Sequence, residues 1–340
     1  MSSSKPEADG GPVKPPRPQG WWSPNLERAT LSQLLRKRDT PGLTLLGVWL
    51  CSLLCTTTLL AAVWGTWWVI PATVIHGAVL SFAYAASHEG AHGTAFKSIW
   101  LNEAVFYLTS FVFGEEPMYR RYTHGRHHSA TWYPGFDIQM PYRNPTALRT
   151  YLRETLGLAG MVEGVKLTAR LALGRLTEEE SSFIPAAKLT QMKWGARGFL
   201  VGDFAIVAIA LLTHSWFIIV ALPVARAAGG WVVQLFINSQ HMCMSEAVPD
   251  HRYSTRSLAC WLPTRLLYWN MNYHIEHHLY PGVPFHGLPR INKLIRAQLP
   301  QPARGVWAAN REILGVIRRQ AGDAGHAAQP RFAADYTPTP

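Results

Sequence analysis

The chain is poor in charge. Only 16 % of its 340 residues are Asp, Glu, Lys or Arg, against 48 % hydrophobic ones, and Thr40–His88 contains none of the four. A helix exposed to water needs a polar face within that length, so a surface helix of a soluble protein is excluded there. Cysteine is scarce as well. Cys51 and Cys55 lie inside the apolar run and Cys243 and Cys260 lie far apart, a spacing that makes neither a metal knuckle nor a disulfide framework. Acidic residues are outnumbered 32 to 21 by basic ones, for a net charge of +11. The basic residues form no dense stripe with a recognition motif, which argues against nucleic acid and for a membrane surface. The N-terminus lacks the short apolar core and cleavage site of a signal peptide, and Met1–Gly20 carries five prolines. Composition therefore divides the chain into a disordered tail with a pre-membrane segment (1–39), a membrane domain (40–320) and a second disordered tail (321–340). No internal repeat is visible.

A helical crossing takes roughly 20 residues, so the uncharged run holds two antiparallel spans, expected at 43–64 and 69–87. A second apolar block, Gly198–Ile237, supplies two more. A turn near Pro223 would leave only a stub to return, whereas a turn at His214 gives spans at 196–212 and 215–237. Ile99–Phe113 is too short to cross and return, and is expected to dip into the interface or to be buried by the cytosolic part. Lys and Arg number 7 before Thr40, 13 in Ser87–Arg197 and 11 after His241, with none in either short turn. That bias places both termini and the large central loop in the cytoplasm. The expected architecture is all-α: a multi-pass integral membrane protein of four transmembrane helices under a cytosolic helical cap. Trp21-Trp22 and Trp67-Trp68 are read as interfacial aromatics, with ordinary core packing an equal alternative.

Eight of the 14 histidines fall in three tight groups: His88 and His92; His124, His127 and His128; His274, His277 and His278. Residues three and four apart share a helix face, so each group aims its imidazoles at one point, and all three lie on the same side of the expected topology. Eight imidazoles exceed the three or four protein ligands of one zinc, so the economical reading is two metal ions in the cap. Imidazole suits Fe, Zn, Cu and Ni alike. His88-Glu89-Gly90-Ala91-His92 also fits the HExxH pattern of an intramembrane zinc protease, with Glu89 as general base. That enzyme needs one further ligand and leaves two histidine groups without a role. Glu89 and Glu276 are instead expected to orient imidazoles. A metal or haem transporter would distribute ionisable groups through the spans rather than gather them at one face.

The pattern HxxxH, HxxHH, HxxHH resembles the membrane fatty acid desaturase and hydroxylase superfamily, most closely at Asn270–Pro289, over residues 40 to 300. The resemblance implies a non-haem di-iron site on the cytosolic face, with two Fe2+ ions, O2 as oxidant, and attack on an unactivated C–H bond of a fatty acyl lipid. It further implies a ligand just past the fourth span, where His241 stands, so the implied metal ligands are His88, His92, His124, His127, His128, His241, His274, His277 and His278. The family's asparagine four residues before that histidine has no match, since Asn238 lies three before it. Asn270 and Asn272 are either partners of ligands or loop-bonding residues. No GxGxxG fingerprint or fused cytochrome b5 signature is present, so electrons must come from an external ferredoxin or cytochrome b5 with an NAD(P)H reductase. Desaturation of fatty acyl lipid is the first reading, with hydroxylase, ketolase or decarboxylase chemistry on a fatty acid, carotenoid or small hydrocarbon as alternatives. His76, His214, His251, His286 and His326 are expected outside the site. Asp203 and Arg226, the two formal charges within the last two spans, are expected to pair, with a substrate carboxylate as the other partner considered for Arg226.

Overall fold

The computed structural model describes residues 20–333. The expected N-terminal tail up to Gln19 and the last seven residues lie outside the described residues. Within them the protein is all-helical, and the only bridge of strand type is an isolated pair, Leu258 with Ala303. Four helices are long and apolar enough to cross a membrane: Asp39–Ala62, Val69–His92, Ala186–Leu212 and Trp216–His241. The protein is accordingly a membrane protein.

The helices outrun the expected spans at the ends that carry the histidines. The second runs on to His92 instead of stopping at 87, and the fourth runs to His241 instead of 237. Hydropathy detects only the apolar part of a helix, and backbone hydrogen bonding does not end where the apolar side chains do. For the same reason the third helix begins at Ala186, not 196. Its first turns bury Met192 and Ala196 against Met118 and Leu171. The third and fourth helices turn at Thr213–Ser215, where His214 takes φ 51°.

The second and fourth long helices meet at glycine. A Cβ on Gly77 would collide with the Ala225 carbonyl, and one on Gly229 with the backbone of Gly77 and Ala78. Small residues allow this approach, and close packing is what holds helices together where lipid is as apolar as leucine. His76 sits beside the crossing, its Nδ1 2.8 Å from Thr56 Oγ1 on the first span and its Nε2 3.0 Å from the Ala221 carbonyl on the fourth. One imidazole thereby joins three spans. Val220–Val224, which contains Pro223, forms a π-turn, as expected where proline removes a donor from the ladder. At the opposite end of the first pair, Trp67 and Trp68 are exposed, 87 % and 71 %, and do not take the core-packing alternative.

The other tryptophan pair packs within the protein, the alternative considered for it. Trp21 stacks on His251 at 4.5 Å between ring centroids, and Trp22 lies under the Arg252 guanidinium at 3.4 Å. Both rings fasten the segment before the first span to the histidine-bearing layer. The C-terminal segment is likewise held as far as residue 333. Ala328 is buried and donates its N–H to the Cys243 carbonyl, and Gln320 Nε2 donates to the His326 carbonyl. These backbone bonds, invisible in composition, correct the expectation of a free tail for 321–333.

Candidate metal centre

Each histidine group stands on a helix whose ends are fixed. The second span closes at Gly93, whose φ of 66° provides the left-handed cap that a side chain would resist. From the helix Pro117–Ser129, Arg121 donates to the Gly90 and Ala91 carbonyls and pairs with Glu103 at 2.7 Å. This guanidinium caps the helix of His88 and His92 from the helix that carries His124, His127 and His128. The latter helix begins with Pro117 in its first turn, and the Glu116 carboxylate accepts from the Tyr119 N–H at 2.6 Å. Ile99–Phe113 packs beneath both, with Ser110 Oγ 2.8 Å from Ser87 Oγ and Phe106 against Gly90. The last group occupies the short helix His274–Leu279, anchored by the Ile275 N–H donating to Ser257 Oγ.

All nine histidines come together. His88, His92, His124, His128 and His277 form one group, and His127, His241 and His278 another, with the potential ligand atoms of each group within 4.8 Å of one another. His274 adjoins the second group, its Nε2 3.1 Å from His241 Nε2 and 3.2 Å from His278 Nε2. The two groups are adjacent: the rings of His128 and His278 are stacked at 4.2 Å.

Partners on the far side of three rings decide which nitrogen faces inward. The His127 Nδ1 donates to Asp137 at 2.7 Å, the His124 Nδ1 to Gln139 Oε1 at 2.8 Å and the His241 Nδ1 to the Ser254 carbonyl at 2.9 Å. A neutral imidazole holds one proton, so with Nδ1 donating, the Nε2 atoms of His124 and His241 present lone pairs to the interior. Burial first, then neighbouring imidazoles, holds His124, His128, His274, His277 and His278 well below the usual 6.5, so the rings are neutral. The arrangement then leaves too few protons. His128 Nε2 is 3.1 Å from both His124 Nε2 and His277 Nε2 and can donate to only one of them. Both nitrogens of His88, Nε2 of His92 and Nδ1 of His128, His274 and His277 are buried without a partner. Buried polar atoms without partners are costly, and cations set among these lone pairs would supply what is missing. The residues fit a metal site.

Asp137 is the strongest outer support. Burial alone would raise its carboxyl, but His127 and the N–H groups of Trp132 and Gln139 outweigh burial and hold it below its ordinary value. It is a carboxylate facing an imidazole, the arrangement that orients a metal-bound histidine. Asp137 and Gln139 lie in an irregular loop, outside the histidine groups, and no spacing rule in the sequence links them to His127 and His124.

The acidic residues within the groups serve differently from expectation. Glu89 accepts from Thr94 Oγ1 at 2.7 Å and from the Phe285 N–H at 3.3 Å, and so ties the end of the second span to the loop after the last group. Its bonding leaves the HExxH reading without a base among the imidazoles. Glu276 accepts from Ser257 Oγ and Asn292 Nδ2, with burial holding its carboxyl above the ordinary value. Neither carboxylate bonds an imidazole, because on these helices it points away from the face the histidines share. Asn270 and Asn272 take the loop-bonding role, Asn270 Nδ2 donating to the Phe285 carbonyl and Asn272 Nδ2 to the Leu258 carbonyl, while Asn238 Nδ2 donates to Thr155 Oγ1 on the helix Leu148–Leu156. His251 comes nearer than expected, its ring 5.1 Å from that of His278. His286 lies beside Phe285, and His214 lies in the turn between the third and fourth spans.

A cavity of about 670 Å3 opens from the imidazoles of His127 and His241 and follows the fourth span to Arg226. Asp203 also lines it, but the expected ion pair is absent: no contact within 4 Å joins the two, and Arg226 Nε is buried without a partner. Counting depths from His214 assumes an unbroken α-helix, and the π-turn Val220–Val224 intervenes.

A family model described as fatty acid desaturase matches residues 63–309. The chain is also similar to a curated protein, the dihydrorhizobitoxine desaturase of Bradyrhizobium elkanii, with 27 % identity over 269 residues, covering 72 % of each chain.

Proposed function

The chain belongs to the fatty acid desaturase family, and on that premise we propose that it is a membrane-bound, non-haem di-iron, O2-dependent desaturase of a lipid or fatty acyl substrate. The observation that carries this reading is the pair of adjacent imidazole groups with converging lone pairs and unpartnered nitrogens. His88, His92, His124, His128 and His277 would hold one Fe2+; His127, His241, His278 and His274 would hold the other. Bound iron would supply the reduction of O2 that takes two hydrogens from adjacent carbons, with two electrons delivered by an external ferredoxin or cytochrome b5 and its reductase.

The chain's own residues supply position and exclusion. Asp137, Gln139 and the Ser254 carbonyl fix the tautomers of His127, His124 and His241, so ligand nitrogens are set before metal arrives. The buried layer keeps bulk water away, and the cavity leads one part of a substrate to the His127 and His241 face. In the proposed topology all four long helices cross the bilayer, and both termini and the centre face the cytoplasm, as the excess of Lys and Arg on that side supports.

The test is expression in a host of known lipid profile with a ferredoxin and its reductase, combined with metal analysis of the purified protein. About two irons per chain and a product 2 mass units lighter than its substrate are expected, with His277→Ala abolishing turnover while the protein still inserts. One zinc per chain without iron would overturn the reading. A gain of 16 mass units would reassign it as a hydroxylase.

A further inference from the structure

We propose that Arg226 anchors a substrate carboxylate at the far end of the cavity, so that the protein acts on a free carboxylic acid whose chain extends toward the imidazoles. This deepens the proposed function and rests on it for the reaction, though not for the binding.

An ionisable side chain within a membrane span is costly and calls for a partner. Among the described residues Arg226 makes no ion pair within 4 Å, and its Nε is buried without a hydrogen bond. The guanidinium is nevertheless held in place. It lies against Gly114, where an added Cβ would stand 3.0 Å from Nη1, and Gly114 closes the helix Ile99–Phe113 in a left-handed conformation at φ 93°. The negative end of that helix dipole steadies a cation without occupying its hydrogen-bonding fork. A planar fork with free donors, facing a cavity, matches a carboxylate in two-point geometry.

The cavity gives that match a direction. Arg226, Gly230, Val233, Ile237 and His241 all line it and follow one face of the fourth helix, so it extends along about 22 Å of helix rise. The head is fixed at one end and the oxidising centre at the other, so the carbon presented is counted from the carboxylate. Asp203 shares the Arg226 end and its charge acts on Arg226, but no contact within 4 Å joins the two, so Asp203 does not occupy the guanidinium's donors. Of the other acids lining the cavity, Glu115 pairs with Arg120, Glu163 with Lys166, and Glu116 caps a helix. They leave the Arg226 fork uncontested.

The experiment measures binding of radiolabelled dodecanoate and of its methyl ester to the purified protein in lipid nanodiscs, with iron content determined on the same samples. Wild-type protein is expected to bind the acid at least tenfold more tightly than the ester. Arg226→Gln should erase that preference, and Arg226→Lys should keep part of it. Equal affinities for acid and ester in the wild type, or a preference unchanged in Arg226→Gln, would overturn the proposal. If Arg226→Gln does not fold, the wild-type comparison and Arg226→Lys decide. Acid-selective binding by protein that contains no iron would sustain the anchor while removing the di-iron reading.

Discussion

The helix bundle and the histidine layer solve opposite problems with the same secondary structure. In the first, third and fourth long helices only 17–22 % of the apolar window is buried within the protein, whereas in the second it is 61 %. The bundle leaves most of its apolar side chains exposed, and its internal contacts are close: Gly77 against Ala225 and Gly229, with one imidazole bonded across three helices. The layer buries seven of the nine candidate ligands, several carboxylates and the Arg252 guanidinium, and hydrogen bonds hold most of them. The second span belongs to both regions. The difference teaches that the bundle is governed by shape and the layer by polar satisfaction, so the two should fail under different perturbations.

Acid should separate them most strongly. In metal-free protein, burial and neighbouring imidazoles hold His124, His128, His274, His277 and His278 well below 6.5, the ordinary value to which they return on unfolding. The folded pKa is the lower one, so stability is unaffected above about pH 6.5. It declines as pH falls below that value, because the unfolded chain takes up protons that the folded chain refuses, by as much as about 1.4 kcal/mol per pH unit for each such group. Hydrogen exchange at pH 5 is expected to rise in 117–129 and 274–279 and to stay low along the spans. Uniform loss would show that the two regions unfold together.

Removing one support from the layer comes next. Asp137→Ala leaves the His127 Nδ1 without its carboxylate, and a fall of about 10–100-fold in metal affinity or turnover is expected, with Asp137→Asn losing less. Metal titration checks this. In the bundle, Gly77→Ala forces a methyl group into the Ala225 carbonyl and should cost about 1–3 kcal/mol, read as a lower midpoint of thermal unfolding. Its metal content per folded chain should not change. The smallest effect belongs to Asp203→Asn, within about 0.5 kcal/mol, because no ion pair is lost. A large drop in folded yield would restore the pairing that the distances deny.

Much of this comparison is legible in the sequence, for physical reasons that also mark its limits. The spans and the three histidine groups are local patterns, in which composition and helical spacing suffice. His241 stands alone and was reached only through the family resemblance, because a single histidine after a span has no local signature. Asp137, Gln139 and Arg121 act across the fold: each meets its partner through loop geometry or helix docking, which spacing along the chain does not record. Glu89 and Glu276 lie within the histidine groups yet face away from them, showing that proximity in sequence is not direction in space. Arg226 escaped the depth count because one π-turn changes a register that was assumed to be regular.

The glycine crossing has a consequence for the chemistry about 16 Å of helix away, at His88. Helices answer a thicker or thinner bilayer by tilting, and two helices tilting independently would carry His88 and His92 away from His241. A site of this kind tolerates displacements of only about 0.5 Å. In the proposed topology, Gly77 packed against Ala225 and Gly229 would make the second and fourth helices tilt together, with His76 as the pin. The contact would thereby keep the ligands aligned in membranes of different thickness.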